Sequence, residues 1–298
     1  MKLGIIGQTG QLGCALEAEC GHQDIEAVFY NRQALDMGAA PEMTEQFLSK
    51  IPRFDTIIIA AAYTNVDGAE TEESLADLVN FRTPQIIAQY CEDKDIPLIY
   101  VSTDYVFNGT HTSPYTPEER PNPINAYGRS KDKGERAVQA ACKRAAVLRT
   151  SWVFDGFSKN FLTTMLRLAE TRQELSVVSD QIGRPTYAPH LAQAVIHTAS
   201  RLIEDQDAGL SGIYHCTGSG PVVSWADYAR YIFTCAKSSL KHSVKVTDIP
   251  SEAFPTIAQR PKYSVMSLTK FEKSFSYTLK DWREGLESAV NIWEGQTL

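Results

Sequence analysis

The chain has 298 residues and 33.1 kDa, 43% hydrophobic and 22% charged, which suits one large domain or two lobes around a sizeable core and excludes disorder as the main state. Twenty-nine Lys and Arg against 36 Asp and Glu give a formal net charge of −7, so no nucleic acid and no membrane surface is expected as a main partner, because either needs a broadly basic face. The longest apolar run, residues 57–63, is about a third of the roughly 20 residues of a spanning helix.

In the first half, short β-branched runs alternate with longer helical stretches, the pattern of βαβ units around a parallel sheet. A strand is predicted at 2–6. Its lead-in, Met-Lys-Leu-Gly-Ile-Ile-Gly-Gln, is broken by glycine and glutamine before a signal-peptide core could form, and a cytoplasmic location is expected. Directly after it, Gly7-Gln8-Thr9-Gly10-Gln11-Leu12-Gly13 opens a helix at 11–20. Glycines at that spacing allow a tight turn and a close backbone approach to a pyrophosphate, which the helix N-terminus attracts. A dinucleotide is expected across this turn.

A second strand at 26–30 ends in Tyr30-Asn31-Arg32, with no carboxylate until Asp36. The residue ending that strand faces the adenosine ribose in dinucleotide folds, where an acid suits a free 2′-hydroxyl and an arginine a 2′-phosphate. NADPH is therefore expected ahead of NADH, with Arg32 as the discriminating charge. A helix at 43–50 follows, then a strand at 55–60 that is apolar along Ile57-Ile58-Ile59-Ala60 without alternating. Such a strand needs helices on both faces, which defines an α/β fold with a Rossmann-type, doubly wound parallel sheet.

A helix at 71–92 and a strand at 97–102 come next. Tyr90 and Lys94 stand four apart, but at the N-terminal edge of that strand, whereas open α/β sheets bind ligands beyond the carboxyl ends; the pair reads as structural. A second such pair, Tyr127 and Lys131, opens the helix at 127–142 after a loop leaving the carboxyl end of the fourth strand. One helical turn brings both onto one face. A phenol is a poor acid–base group near neutrality, and a nearby ammonium is expected to lower its pKa and make it a usable proton donor. Thr103, ending the fourth strand, offers a hydroxyl to the same crevice, where it could bond a carbonyl oxygen as charge develops.

After a strand at 145–149 the rhythm loosens, through Asp180-Gln181-Ile182-Gly183-Arg184-Pro185 and helices at 189–203, 224–237 and 279–294. The expected division is an NAD(P)-binding domain at 1–150 and a smaller, mainly substrate-binding lobe at 151–298 that sends elements back to the first sheet. Cys14, Cys20, Cys91, Cys142, Cys216 and Cys235 are scattered without metal-ligand spacing and read as small hydrophobes in a reducing compartment.

The glycine turn, Ala60-Ala61-Ala62-Tyr63-Thr64-Asn65-Val66-Asp67, Ser102-Thr103-Asp104-Tyr105-Val106-Phe107 and Tyr127…Lys131 together resemble the extended short-chain dehydrogenase/reductases. More narrowly they resemble those members that reduce a dTDP-linked 4-keto sugar. The likeness continues through Arg149-Thr150-Ser151-Trp152-Val153, Asn160-Phe161, residues 180–186, Gly212-Ile213-Tyr214-His215, Ser224-Trp225 and Arg260-Pro261-Lys262-Tyr263-Ser264. It implies a nucleotide-sugar substrate, with Tyr127 as proton donor to the C4 ketone, Thr103 polarising the carbonyl and Lys131 holding the nicotinamide ribose. It further implies that Ala62, Tyr63 and Thr64 line the cofactor, that Asp36 and Met37 lie near the adenine, and that Asp104 and Trp152 contact the sugar. Arg260 would clamp the nucleotide pyrophosphate, and the protein would be a homodimer. Relatives can carry magnesium at a dimer contact, but no acidic cluster here compels one, and no metal is expected. The readings left open are a reductase of opposite C4 outcome or of another nucleotide sugar, and a non-catalytic regulatory subunit of the kind that serves methionine adenosyltransferase.

Overall fold

Six parallel strands form the central sheet of the computed structural model, which describes residues 1–297. They are β1 (Lys2–Ile6), β2 (Glu26–Tyr30), β3 (Thr56–Ile59), β4 (Leu98–Thr103), β5 (Ala145–Thr150) and β6 (Gly212–His215), in the spatial order β2-β1-β3-β4-β5-β6. Every residue of β3 and β5 is buried, as expected of strands covered on both faces. Alternate side chains feed opposite cores. Leu3, Ile5 and Ile58 pack with α1 (Gln11–His22) and with a later helix at Ala188–Glu204. Ile6, Ile57 and Ile59 pack on the other face, against helices that follow β2, β3 and β4.

Those helices are α2 (Pro41–Leu48), α3 and α4 (Ala126–Ala141). α2 starts two residues before the predicted position because Pro41 takes its first turn, where a missing N–H costs nothing. The helix expected at 71–92 is a composite. A short turn, Val66–Ala69, precedes α3, which runs as Glu73–Asp77, a π-helical turn at Leu78–Arg82, and Thr83–Asp93. Pro84 has no N–H to give back toward Asn80, and the freed Asn80 carbonyl accepts the Tyr100 hydroxyl at 2.6 Å instead.

A second hydrophobic core is built on α5 (Phe161–Ala169), α7 (Trp225–Cys235) and α8 (Trp282–Thr297), packed around a fully buried Trp282. α6, the helix at Ala188–Glu204, and β6 belong to the first sheet although they follow residue 150. α5 was not anticipated. Its signal is a capping box: Asn160 Oδ1 accepts the Thr163 N–H at 3.1 Å, and Thr163 Oγ1 accepts the Asn160 N–H at 3.1 Å.

Candidate active site

The strand order reverses at β1, with β2 on one side and β3 on the other, and open α/β sheets bind ligands at such a point beyond the carboxyl ends of the strands. β1 runs into Gly7, whose φ of +112° only glycine adopts freely; a Cβ there would stand 2.5 Å from the Ala61 nitrogen. α1 then begins without a side-chain cap and without an acid in its first turn, leaving its N–H groups to a ligand. At Gly13 a Cβ would lie 1.9 Å from the Gly7 carbonyl oxygen, whereas at Gly10 it would stand in open space, 3.8 Å from that atom. Gly13 thus closes the helix onto the turn, and Gly10 leaves room for a ligand's backbone. The turn fits a dinucleotide pyrophosphate.

A cleft of about 750 Å³ opens over it. It brings together Gly7, Gly10, Gln11 and Leu12 from the turn; Asn31, Arg32, Asp36 and Met37 after β2; Ala62, Tyr63 and Thr64 after β3; Thr103 and Asp104 at the end of β4; Tyr127 and Lys131 on α4; and Trp152 after β5. Gly13 stands behind the wall. Arg260 lies outside the lining and forks onto Asp67 at 3.0 and 3.4 Å, and Asp67 also accepts the Ala258 N–H. Tyr90 and Lys94 take no part in the cleft. At the adenosine end, Arg32 Nε lies 3.3 Å from Asp36 Oδ1, with the guanidinium largely exposed. Asn31 caps the same bend by accepting the N–H groups of Gln33 and Ala34.

The helix that carries Tyr127 and Lys131 is fixed at its first turn. Asn125 caps α4 by accepting the Gly128 N–H at 2.8 Å, and a Cβ at Gly128 would fall 2.1 Å from the Tyr105 carbonyl. α4 therefore presses on the segment after β4 and sets Tyr127 beside Thr103, with the Tyr105 and Tyr127 rings 5.6 Å apart. Burial pushes the Tyr127 phenol up to about 12, the Thr103 hydroxyl draws it back, and the Asp104 carboxylate adds to the rise. Lys131 is 1% exposed; its Nζ donates to the Val101 carbonyl at 2.7 Å and sits 4.0 Å from the centre of the Tyr100 ring. Burial depresses it to about 7, against the opposing pull of Glu135.

The expectation that Lys131 lowers the Tyr127 pKa is therefore corrected: loss of water dominates at both groups, and the groups that act on the phenol beside burial are Thr103 and Asp104. A phenol held protonated at neutral pH is the form a proton donor needs. Asp104 is buried too, and burial raises its carboxyl to about 6 while the Ser264 and Thr103 hydroxyls oppose the rise. Thr103 Oγ1 donates to Asp104 Oδ1 at 3.1 Å and accepts the Tyr105 N–H at 3.2 Å, which fixes the hydroxyl in place.

Trp152 takes a left-handed φ of +47°, strained for a bulky residue. Its indole stacks on Trp225 at 3.5 Å and 7°, and a Cβ at Gly183 would stand 2.5 Å from it. The stack and the missing Cβ hold the ring at the cleft. Sequence reasoning missed Thr150, whose buried hydroxyl has no partner and which lines the cleft, and also Ser151, Ser158 and Lys159. It also missed Asn80, which grips the Tyr63 backbone at 2.9 and 3.1 Å and donates to Ser130 at 2.9 Å. Strand periodicity marks none of these positions; the signal for Thr150 and Ser151 is their place in Arg149-Thr150-Ser151-Trp152-Val153, where only Trp152 was expected at the site. Among the described residues, no group of three His, Cys, Asp or Glu is placed to hold a metal ion, and no helix is long and apolar enough to cross a membrane.

A doubly wound sheet with a glycine turn at its switch point and a Thr-Tyr-Lys set beyond β4 defines an extended short-chain dehydrogenase/reductase. Within that class the chain belongs to the RmlD substrate binding domain family, whose family model matches residues 1–294. It is 39% identical over 290 residues to the dTDP-4-dehydrorhamnose reductase of Sinorhizobium fredii, covering 97% of each chain. Among solved structures, it matches a dTDP-4-dehydrorhamnose reductase from Clostridium acetobutylicum with a TM-score of 0.88 and 33% identity, covering 98% of this chain and 99% of that one. The enzyme of that name from Bacillus anthracis, solved in complex with NADP, matches with a TM-score of 0.86 and 34% identity over 96% and 97% of the two chains.

Proposed function

We propose that this protein reduces the C4 carbonyl of dTDP-6-deoxy-L-lyxo-4-hexulose (dTDP-4-dehydro-L-rhamnose) to give dTDP-L-rhamnose, with NADPH as reductant and NADH as the second choice. The observation that carries the reading is the meeting, in one cleft, of the glycine turn with Thr103, Tyr127, Lys131 and the Trp152 ring. The names of the S. fredii and B. anthracis relatives support the substrate, and the NADP in the latter supports the cofactor.

With its pyrophosphate held at the glycine turn, NADPH would supply the hydride. Tyr127, protonated at neutral pH, gives its hydroxyl proton to the carbonyl oxygen, and the Thr103 hydroxyl, turning its one hydrogen from Asp104, steadies that oxygen as charge gathers on it. Lys131, one turn along α4, stabilises the phenolate left behind and holds the nicotinamide ribose. Ala62, Tyr63 and Thr64 bound the cofactor, with Asp36 and Met37 at the adenine and Arg32 at the 2′-phosphate. Asp104 and Trp152 bound the sugar. Arg260 reaches the cleft wall through the Tyr105 hydroxyl, from where it can leave Asp67 to clamp the nucleotide pyrophosphate. Residues up to 150 thereby hold the cofactor and, through Thr103 and Asp104, one side of the sugar, and the residues that follow hold its other side.

The test is an assay of the purified protein with dTDP-4-dehydro-L-rhamnose and each reduced nicotinamide, the product being read by NMR. Oxidation of NADPH only when the keto sugar is present, with L-rhamnose configuration at C4, is expected. A talose product would overturn the stereochemistry, and no sugar-dependent oxidation would overturn the activity.

A further inference from the structure

Behind the cleft lies a buried polar cluster that the chemistry above does not use. Glu135 follows Lys131 by one turn on α4 and is 1% exposed. Its carboxylate accepts the Ser102 hydroxyl at 2.5 Å, and Arg149, fully buried on β5, forks onto it through Nε at 2.9 Å and Nη2 at 2.7 Å. Arg149 Nη1 in turn lies 3.4 Å from His215 Nε2 on β6, and its guanidinium sits 5.0 Å from the centre of the Phe107 ring. His215 is held neutral, down to about 3, by burial and then by Arg149.

A carboxylate taken out of water is costly unless fully paired, and an Arg fork plus a hydroxyl meets that need in full. The cluster would satisfy itself anywhere in the core. It is placed, however, one helical turn from a buried lysine whose own Nζ meets a neutral carbonyl and the face of an aromatic ring. Around Lys131, Tyr127 and Glu135 stand one turn to either side on α4, Tyr100 lies against its Nζ, and Arg149 and His215 stand behind Glu135 from β5 and β6; Thr103, Asp104 and Tyr105 line the same cleft. Of these, Glu135 is the one whose charge acts on Lys131 against burial.

We propose that Glu135 is a positioning residue for Lys131: locked by Arg149 and Ser102, its carboxylate favours the ammonium form of the lysine against burial and so keeps it fit to hold the cofactor ribose and to receive the Tyr127 phenolate. The role asked of Lys131 is the one given under the proposed function, on which this inference rests. Ser102 and Arg149 act through Glu135 and need not touch either ligand. A purely structural ion pair would stabilise the sheet-to-helix contact and leave the lysine as it is.

The experiment follows the Lys131 side-chain NMR resonance of the full chain through a pH titration, with the resonance assigned by its loss in Lys131→Met. Glu135→Gln is expected to lower the Lys131 midpoint by about one pH unit or more, since a neighbouring opposite charge moves a pKa by about 1–3. Glu135→Asp should restore most of it. In parallel, the alkaline limb of kcat at saturating NADPH and keto sugar should move down with the midpoint in Glu135→Gln. If that variant fails to fold because Arg149 is orphaned, Glu135→Gln with Arg149→Met removes both charges and must show the same lowered midpoint. A midpoint unchanged from the native protein in either variant, whatever happens to the rate, overturns the inference. Because the titration needs no substrate, an inactive native enzyme would count against the proposed reaction and leave this result readable.

Discussion

Thr103 and Tyr127, from the end of β4 and the first turn of α4, share one buried contact in which the threonine hydroxyl opposes the rise that burial imposes on the phenol. The contact exists because Gly128 lets α4 close onto the Tyr105 carbonyl, so the strand end and the helix start form one corner of the cleft. Replacing Tyr127 with Phe keeps the ring and removes the proton. Turnover should fall by about 10²–10⁴ while cofactor affinity, read by fluorescence quenching, stays close to native. A variant retaining more than about a tenth of the rate would not be missing its general acid.

Thr103→Ala should lower kcat by about a hundredfold, the usual loss for one donor to a developing oxyanion. Thr103→Ser, which keeps the hydroxyl that bonds Asp104 and accepts the Tyr105 N–H, should recover most of that loss. Equal damage in both variants would point to the methyl group and packing.

Two glycines of one turn should fail in different ways. Gly13→Ala drives a Cβ to 1.9 Å from the Gly7 oxygen and should lower unfolding stability by about 1–3 kcal/mol, as overpacking does. Gly10→Ala meets nothing closer than 3.8 Å and should keep its stability while losing cofactor affinity, because the methyl fills the cradle. Urea denaturation and cofactor titration separate the two.

Cofactor choice should turn on Arg32. Its guanidinium is tied only to the half-exposed Asp36, and exposed pairs of this kind are weak, so a 2′-phosphate can recruit it at little cost. Arg32→Ala should reduce kcat/KM for NADPH by about tenfold or more, the usual worth of a charge-assisted bond, and leave NADH nearly unchanged.

His215 should make the fold acid-sensitive. Its folded pKa of about 3 lies below an unfolded value near 6.5, so between those limits the unfolded chain binds the extra proton and stability falls as pH drops. Asp104 works the other way: raised to about 6 from an unfolded value near 3.9, it adds stability as pH falls through that window and masks part of the loss. The contrast is clearest in His215→Asn, where the native advantage measured by urea unfolding should shrink by roughly 1–2 kcal/mol from pH 7 to pH 5.

The first five strands and the glycine turn were legible because their signals are local: apolar runs, glycine spacing and a helix start within thirteen residues of the N-terminal methionine. Tyr127 and Lys131 were legible for the same reason, their spacing being one helical turn. What stayed hidden depends on contacts across the chain. Asn80 matters because Pro84 breaks the α3 hydrogen-bond ladder and frees its carbonyl for Tyr100. Thr150 enters the cleft only because β5 ends beside β4. The depressed lysine and the raised phenol also escaped the sequence, since spacing predicts their attraction but says nothing of the water both lose on burial.

Transfer of label is the measurement that meets the central claim most directly. With NADPH carrying deuterium at the transferring position and dTDP-4-dehydro-L-rhamnose as acceptor, the native protein should deliver deuterium to C4 of the sugar, and Tyr127→Phe should deliver almost none in the same time. Product without label at C4, or label delivered equally fast by Tyr127→Phe, would contradict it.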